Sequence, residues 1–145
     1  MRARLQDLFL ICVSAPIPAC AARAVPAIAP SASCAVGDTV LVRDVLYFGR
    51  NRPDGSTVSD EEWRAFVNQV LTPRFPAGLT VVSAMGQWQG KSGVVEQERS
   101  EVVTVFHSGD DSARRAVDEA AAEYKRRFQQ EAVLRERAPT CARFE

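Results

Sequence analysis

Hydrophobic and polar residues follow two different periods along the chain, and the changes of period predict its strands and helices. Residues 39–48 are rich in β-branched and aromatic side chains, which is typical of a strand. Similar runs cover residues 79–85 and 101–107, and a short fourth run covers residues 132–135. The glycine-rich segment after the second run predicts either a bulge or a long hairpin near Gly86.

Two segments between these runs show the helical period instead. The first begins with a capping box, in which Ser59 is the N-cap and Glu62 follows three residues later, and Thr72 and Pro73 are expected to end it. Its apolar stripe is formed by Trp63, Phe66, Val67, Val70 and Leu71. The second helix follows an acidic turn, and its stripe is formed by Ala113, Ala116, Val117, Ala120, Ala121, Tyr124 and Phe128.

The order of these elements is βαββαβ, and it predicts the fold class. We expect an α+β, ferredoxin-like domain with a four-stranded antiparallel sheet and two helices on one face. The sheet order expected for this topology is 4-1-3-2, in which the last strand lies antiparallel beside the first. The chain has 145 residues, which is enough for one such domain, and we assign residues 38–145 to it.

A set of short motifs in fixed order resembles a known family. The motifs are Leu46-Tyr47-Phe48-Gly49, Arg52-Pro53-Asp54-Gly55, Thr72-Pro73-Arg74-Phe75-Pro76-Ala77-Gly78-Leu79-Thr80, Gly86-Gln87-Trp88 and Gln130-Glu131-Ala132-Val133-Leu134-Arg135. On these motifs the chain is similar, over about residues 45–145, to a bacterial family known as domain of unknown function 3574. The resemblance implies a small exported or lipoprotein-like protein, and it brings no catalytic residues with it.

The first 20 residues have the pattern of a secretory signal peptide, with Arg2 and Arg4 before a short apolar stretch and small residues at its end. The alternatives are an unstructured tail and a misplaced start codon. The segment before Cys20 resembles a bacterial lipobox, although Pro18 is an unusual residue there, so Cys20 is either lipidated or removed with a cleaved signal. Residues 21–37 predict a Pro/Ala-rich spacer. We therefore expect an exported protein of the periplasm or cell envelope.

The cysteines support the same compartment. Outside the signal, Cys34 precedes the first strand and Cys141 follows the last one, where the expected topology brings the two ends of the domain together. A remaining pair in an exported protein is most simply a disulfide, and the alternative is two unpaired structural thiols. His107 is the only histidine and no CxxC motif occurs, so no metal site and no cofactor are expected.

Composition excludes several classes of partner. The formal net charge is zero and apolar residues make up 46%, which is the balance of an ordinary soluble domain. Balanced charge gives no general electrostatic case for nucleic acid or for an anionic membrane. No apolar run approaches the ~20 residues that a spanning helix needs, so we expect membrane attachment only through a lipid anchor.

Both sides of the predicted first and third strands are mainly apolar, so the sheet face without helices is not expected to be fully solvated. A second copy, another partner or a small-molecule ligand should cover this open face. We favour a homodimer, because closed two-fold pairs are the commonest oligomers.

Four residues are candidates for a ligand site. Arg43 and Tyr47 share one face of the first strand and are suited to orient an anionic ligand, or else they form rim packing and a salt bridge. Trp88 is expected to line a mouth for an acidic or sugar-like compound, with Arg50, Arg52 and Arg74. His107 at a strand end is either a general base or an edge histidine that is solvated or hydrogen-bonded.

Two function classes follow from these features. The first is a non-catalytic envelope protein whose sheet face mediates dimerisation or binds a ligand. The alternative is a small cofactor-independent, dimeric enzyme of the α+β barrel type, acting on a hydrophobic or anionic molecule. An enzyme is expected to gather His107, Tyr47 or an arginine in an enclosed pocket, whereas a binding domain presents a shallower apolar face.

Overall fold

The structure is a computed structural model that describes residues 34–144. One antiparallel sheet contains the strands β1 (Thr39–Gly49), β2 (Thr80–Gln89), β3 (Val95–His107) and β4 (Leu134–Ala142), in the order β2-β3-β1-β4. Read from β4, the sheet order is 4-1-3-2, so the last strand lies antiparallel beside the first, as the sequence predicts. The α+β class is confirmed. The predicted signal peptide, Cys20 and residues 21–33 of the predicted spacer lie outside the described residues.

The helical segments are α1 (Asp60–Phe66), a π-helix (Val67–Leu71), α2 (Thr72–Arg74) and α3 (Asp111–Phe128). The predicted end of the first helix at residues 72–73 is wrong, because helical structure continues to Arg74. Pro73 lies in the first turn of α2, directly after the π-helix, where a missing backbone N–H is tolerated. Within residues 34–144, no helix is long and apolar enough to cross a membrane.

Both helices pack on the same face of the sheet and share one core. Phe48 of β1 contacts Tyr124 of α3, with ring centroids 4.7 Å apart, and Phe66 of α1 lies 5.0 Å from the same ring. Leu46 of β1 and Val103 of β3 complete the sheet side of this core and are fully buried. Alternate residues of the strands therefore point to the helices, and the others form an open face, on which no helix of the described part of the chain lies.

Two strands are longer than the hydrophobic pattern indicates. β2 and β3 form a long hairpin whose register runs from Thr80 opposite Thr104 to Gln89 opposite Val95 without a bulge, which decides between the two predictions for this segment. The fourth strand was predicted as a short run at residues 132–135, but β4 passes through Pro139 and ends at Ala142. A proline is compatible with β4 because this strand lies at the edge of the sheet.

The predicted disulfide between Cys34 and Cys141 is confirmed. Their Cα atoms lie 5.5 Å apart, within the range that the bond requires. Cys141 lies opposite Val40 in the β1–β4 ladder, so the bridge joins the start of the domain to its last strand. The sheet order is consistent with the bridge, because β1 and β4 are neighbours and Cys34 lies shortly before β1.

Candidate functional site

The open face of the sheet contains a cleft of about 560 Å³ at the end where the β2–β3 hairpin turns. Its floor is formed by small residues of three neighbouring strands, Gly49, Ser100 and Gly86. The aromatic side chains of Tyr47 and Trp88 border this floor from β1 and β2. Two of the four predicted ligand-site residues are therefore brought together at one cleft.

The absence of a side chain at Gly49 leaves space at the centre of the floor. A Cβ atom added to Gly49 would lie 2.5 Å from the carboxylate oxygens of Glu98, well inside van der Waals contact. The same carboxylate accepts a hydrogen bond of 3.2 Å from the backbone N–H of Asn51. Gly49 thus allows an acidic side chain to lie across the floor of the cleft.

Two loops form the rim of the cleft and are linked to each other. The side-chain amide of Gln130 donates to the backbone carbonyl of Asn51 at 2.6 Å, which joins the segment after α3 to the segment after β1. Leu134, at the start of β4, also lines the cleft and is exposed. These contacts place polar amide groups and one apolar side chain around the aromatic pair.

The charged side chains that line the cleft are three carboxylates and one guanidinium group: Glu96, Glu98, Glu131 and Arg52. Arg52 donates to the Glu62 carboxylate at 2.7 Å and to the Thr57 carbonyl at 3.0 Å, so its charge is already neutralised by a partner on α1. The cleft therefore has an excess of negative charge, contrary to the prediction of a mouth for acidic compounds. The physical reason is that Arg52 folds back towards the helix start.

The other two arginines predicted for this mouth lie elsewhere. Arg50 is buried, where it donates to the Glu101 carboxylate at 2.8 Å and to the carbonyl of Val58. Arg74 extends along the helical layer, with its Nε 3.5 Å from the Glu119 carboxylate. Both predictions were wrong because buried and inter-helical carboxylates attract these side chains away from the open face.

The hydroxyl group of Tyr47 already forms a hydrogen bond within the sheet. It donates a hydrogen bond of 2.7 Å to Glu136 on the neighbouring strand β4, and this bond to a carboxylate raises the pKa of Tyr47 above its ordinary value. Arg43 lies on the same face, four residues earlier on β1, as predicted, but it does not line the cleft. Tyr47 is therefore better suited to contact a ligand with its ring than to act on it as a base.

His107 lies on the opposite, helical face of the sheet and belongs to a separate charged cluster. Its Nε2 is 2.7 Å from Oδ2 of Asp44, and its Nδ1 accepts a hydrogen bond of 3.0 Å from the backbone N–H of Gly109. Because Nδ1 is the acceptor, the proton is on Nε2, and the ring donates it to the carboxylate. His107 is thus a hydrogen-bonded histidine at the end of β3, one of the two alternatives considered from the sequence.

Asp44 is the centre of this cluster and is fully buried. Arg135 donates to both of its carboxylate oxygens, at 2.7 and 2.9 Å, and Arg137 does so at 3.2 and 3.1 Å. Burial alone would raise the pKa of Asp44, but the hydrogen bonds from Arg135, Arg137 and His107 outweigh burial and hold that pKa well below its usual range. The cluster is a structural ion-pair network in which the buried charge has three partners.

Sequence reasoning missed this cluster. A short basic pair such as Arg135 and Arg137 ordinarily indicates a solvated face, but both side chains reach the buried carboxylate from the neighbouring strand. The sequence did contain one signal: Asp44 is a charged residue on the strand face that otherwise carries apolar residues such as Leu46 and Phe48. Among the described residues, no group of three or more His, Cys, Asp and Glu side chains is placed to hold a metal ion.

Comparison with solved structures shows a shared fold. A phage SAM lyase in complex with S-methyl-5′-thioadenosine aligns with a TM-score of 0.57 and 15% identity, over 77% of this chain and 93% of that chain. A phage SAM lyase in its apo state aligns with a TM-score of 0.52 and 18% identity, over 75% of this chain and 92% of that chain. CutA from Synechococcus elongatus PCC7942 aligns with a TM-score of 0.47 and 8% identity, over 72% of this chain and 82% of that chain. At identities this low, the two lyase alignments show similarity of fold alone.

No curated protein matches the chain. The model of one protein family does match, over residues 43–144, and this range contains all four strands from the middle of β1 onwards and both helical segments. The motifs quoted from the sequence, from Leu46-Tyr47-Phe48-Gly49 to the start of β4, fall within it. The chain therefore belongs to the family described as "Protein of unknown function (DUF3574)".

Proposed function

We propose that the chain is an exported, ferredoxin-like binding domain that holds a small organic cation in the cleft of its open face. The observation that carries the proposal is the pairing of Trp88 and Tyr47 across a glycine-floored cleft with an excess of carboxylates. A volume of about 560 Å³ is in the range of small-molecule sites.

The charge of the cleft supports a cation. Arg52 is paired with Glu62, so the carboxylates of Glu96, Glu98 and Glu131 leave net negative charge around the floor. Lys91 lies 4.0 Å from Glu131, but the lysine is almost fully exposed and such a pair contributes little. These carboxylates attract a cationic group in the cleft and repel an anion of the same shape.

The aromatic border supports a ligand with a flat or aliphatic body. Trp88 keeps 44% of its surface exposed although it is a large apolar side chain, and stacking on its ring removes that surface from water. An indole ring also attracts a cation placed over its face. The two effects act together on an aromatic or aliphatic amine.

An enzyme of the barrel type is less well supported. The two titratable candidates, Tyr47 and His107, lie on opposite faces of the sheet, so one bound substrate cannot contact both. Each is also engaged with a carboxylate, Glu136 and Asp44 respectively. Binding is therefore the function that this geometry favours.

The homodimer predicted through the open face stays a prediction. It competes with the ligand, because Trp88 and Leu134 belong both to the cleft and to the apolar part of that face. Phe106, which is exposed on the same face outside the cleft, marks the part that a second copy could cover without blocking the ligand.

Export is supported by the Cys34–Cys141 disulfide, since such bonds persist in oxidising compartments. We further propose a lipid anchor at Cys20. Cys20→Ser is expected to move the protein from the membrane fraction to the soluble periplasmic fraction, while a Cys12→Ser control leaves the fractionation unchanged. Equal fractionation of wild type and Cys20→Ser would contradict the anchor.

The ligand class is tested with two compounds of matched shape. Tyramine is cationic and 4-hydroxyphenylacetate is anionic, and both carry a phenol ring. Isothermal titration is expected to show saturable binding of tyramine and at least about tenfold weaker binding of the anion, a difference of about 1.4 kcal/mol. Trp88→Ala is expected to abolish tyramine binding, whereas Phe106→Ala, an exposed aromatic on the same face outside the cleft, is expected to retain it. Preference for the anion, or retention of binding by Trp88→Ala, would contradict the proposal.

A further inference from the structure

The strand β2 is an unusual sheet edge. Within residues 34–144 it pairs with β3 alone, and its ten residues include no charged side chain and no proline. Three of them are large, apolar and exposed: Val82 at 56%, Met85 at 72% and Trp88 at 44%. An edge of this kind presents unpaired backbone N–H and C=O groups beside apolar side chains, which is a template for another strand.

The opposite edge of the sheet carries the protection that β2 lacks. The strand β4 contains Arg135, Glu136, Arg137 and Pro139, and its end is fixed by the disulfide of Cys141. Charged residues and proline on an edge strand discourage pairing with other chains. The register of β2 against β3 also runs without a bulge, a feature that would increase the local twist of an edge strand.

We infer that β2 pairs antiparallel with β2 of a second copy, around a two-fold axis through Met85. This pairing joins two four-stranded sheets into one continuous sheet and leaves the helices of both copies on the same side. A ten-residue strand extends over about 33 Å, which is enough for a full ladder of backbone hydrogen bonds.

The exposed apolar side chains select the register. In an antiparallel pair centred on Met85, that residue lies opposite itself, and Val82 lies opposite Trp88 on the open face, because both are three positions from the centre. Centring the pair on Ala84 would instead place Val82 opposite Gly86 and Met85 opposite Ser83. Of these two registers, only the first gives each of the three exposed apolar side chains an apolar partner, and cross-strand pairs of this kind stabilise a sheet.

Pairing of β2 with β2 of a second copy fits this edge better than a head-to-tail pairing of β2 with β4. Pairing β2 with β4 of another copy would place the uncharged strand against Arg135, Glu136 and Arg137 and against Pro139, which offers no N–H. A β2–β2 contact uses the same surface on both copies and closes after two, as most homodimers do. The inference goes beyond the proposed ligand site and does not depend on any ligand.

Sedimentation velocity on the purified full chain tests the pairing. The wild type is expected to be a dimer at micromolar concentration, and Met85→Lys is expected to weaken the dimer by at least about tenfold, because two like charges meet at the axis. Phe106→Lys, which alters the open face away from the β2 edge, is expected to remain dimeric. A monomeric wild type, a trimer, a dimer that survives Met85→Lys, or a dimer lost only in Phe106→Lys would overturn the inference.

A crosslinking measurement provides a second, independent readout. Met85→Cys is expected to form an intermolecular disulfide under mild oxidation, because the residue meets its own copy across the axis. Ala122→Cys, on the exposed side of α3, is the matched control and is expected to stay monomeric on non-reducing gels. Equal crosslinking of both variants, or crosslinking of the control alone, would contradict the placement of the axis.

Discussion

Asp44 is the residue whose surroundings differ most from what its neighbours in the sequence suggest. It is fully buried on the helical face of β1, at a position where the strand pattern otherwise places apolar side chains. Its three partners are 63, 91 and 93 residues away along the chain. Local periodicity detects the odd residue, but only the sheet order shows which charges compensate it, so the cluster was not predictable from the sequence.

Removing this carboxylate is expected to be costly. Asp44→Asn leaves Arg135 and Arg137 beside a neutral amide, and breaking a largely buried pair costs about 3 kcal/mol of unfolding free energy. Urea denaturation at pH 7 measures the loss. Glu61→Gln, which changes an exposed carboxylate, is the control and is expected to lie within about 0.5 kcal/mol of wild type.

The same carboxylate predicts an acid dependence. The pKa of Asp44 is lowered in the folded state, so its stabilising contribution is complete above the ordinary carboxylate pKa of about 4 and is lost as the pH falls below it. Wild-type unfolding free energy is therefore expected to fall between about pH 4 and 2 more steeply than that of Asp44→Asn. Parallel pH profiles of the two proteins would show that Asp44 has an ordinary pKa.

At the scale of elements, local signals predicted the types and order of strands and helices. The capping box at Ser59, the apolar stripe of α3 and the β-branched run of β1 each depend on residues close in sequence, and each element is present. The ends were less predictable. The polar first half of β3, from Val95 to Arg99, lies outside the predicted run at residues 101–107, because it pairs with β2 beyond the core and shows little apolar alternation.

The capping box allows a test of the first helix. The Ser59 hydroxyl accepts from the Glu62 N–H at 3.1 Å, and the Glu62 carboxylate accepts from the Ser59 N–H at 2.8 Å. Ser59→Ala is expected to lower the unfolding free energy by about 1 kcal/mol, whereas Ser59→Asp retains an N-cap acceptor and stays close to wild type. Equal losses in both variants would mean that the hydroxyl serves another purpose than capping.

For the whole molecule, the disulfide is the feature that ties the two ends of the domain together. The bridge closes a separation of 107 residues, so the chain-entropy treatment predicts roughly 4–5 kcal/mol of stabilisation. The double variant Cys34→Ser/Cys141→Ser is expected to lose most of this stabilisation. Reduced wild type is expected to unfold at the same denaturant concentration as the double variant. Denaturation curves that coincide for oxidised and reduced wild type would show that the bridge contributes nothing.

The sequence predicted half of the candidate site. Tyr47 and Trp88 meet at one cleft, while Arg43 lies farther along the open face and His107 lies behind the sheet. The alternation of side chains along a strand shows that His107 and Tyr47 lie on opposite faces only once the register of β1 against β3 is known. That register depends on the whole fold. The sign of the cleft's charge was missed for the same reason, since the carboxylate that neutralises Arg52 comes from α1.

The central claim, that the open-face cleft is the binding site, is tested most directly by chemical-shift mapping with tyramine on ¹⁵N-labelled protein. We predict saturable shifts at the Trp88 indole N–H and at the backbone amides of Gly49, Gly86 and Ser100, which form the floor. The amide of Gly109, which contacts His107 on the other side of the sheet, is expected to stay unchanged. Shifts centred on Gly109, with none at the floor, would contradict the account.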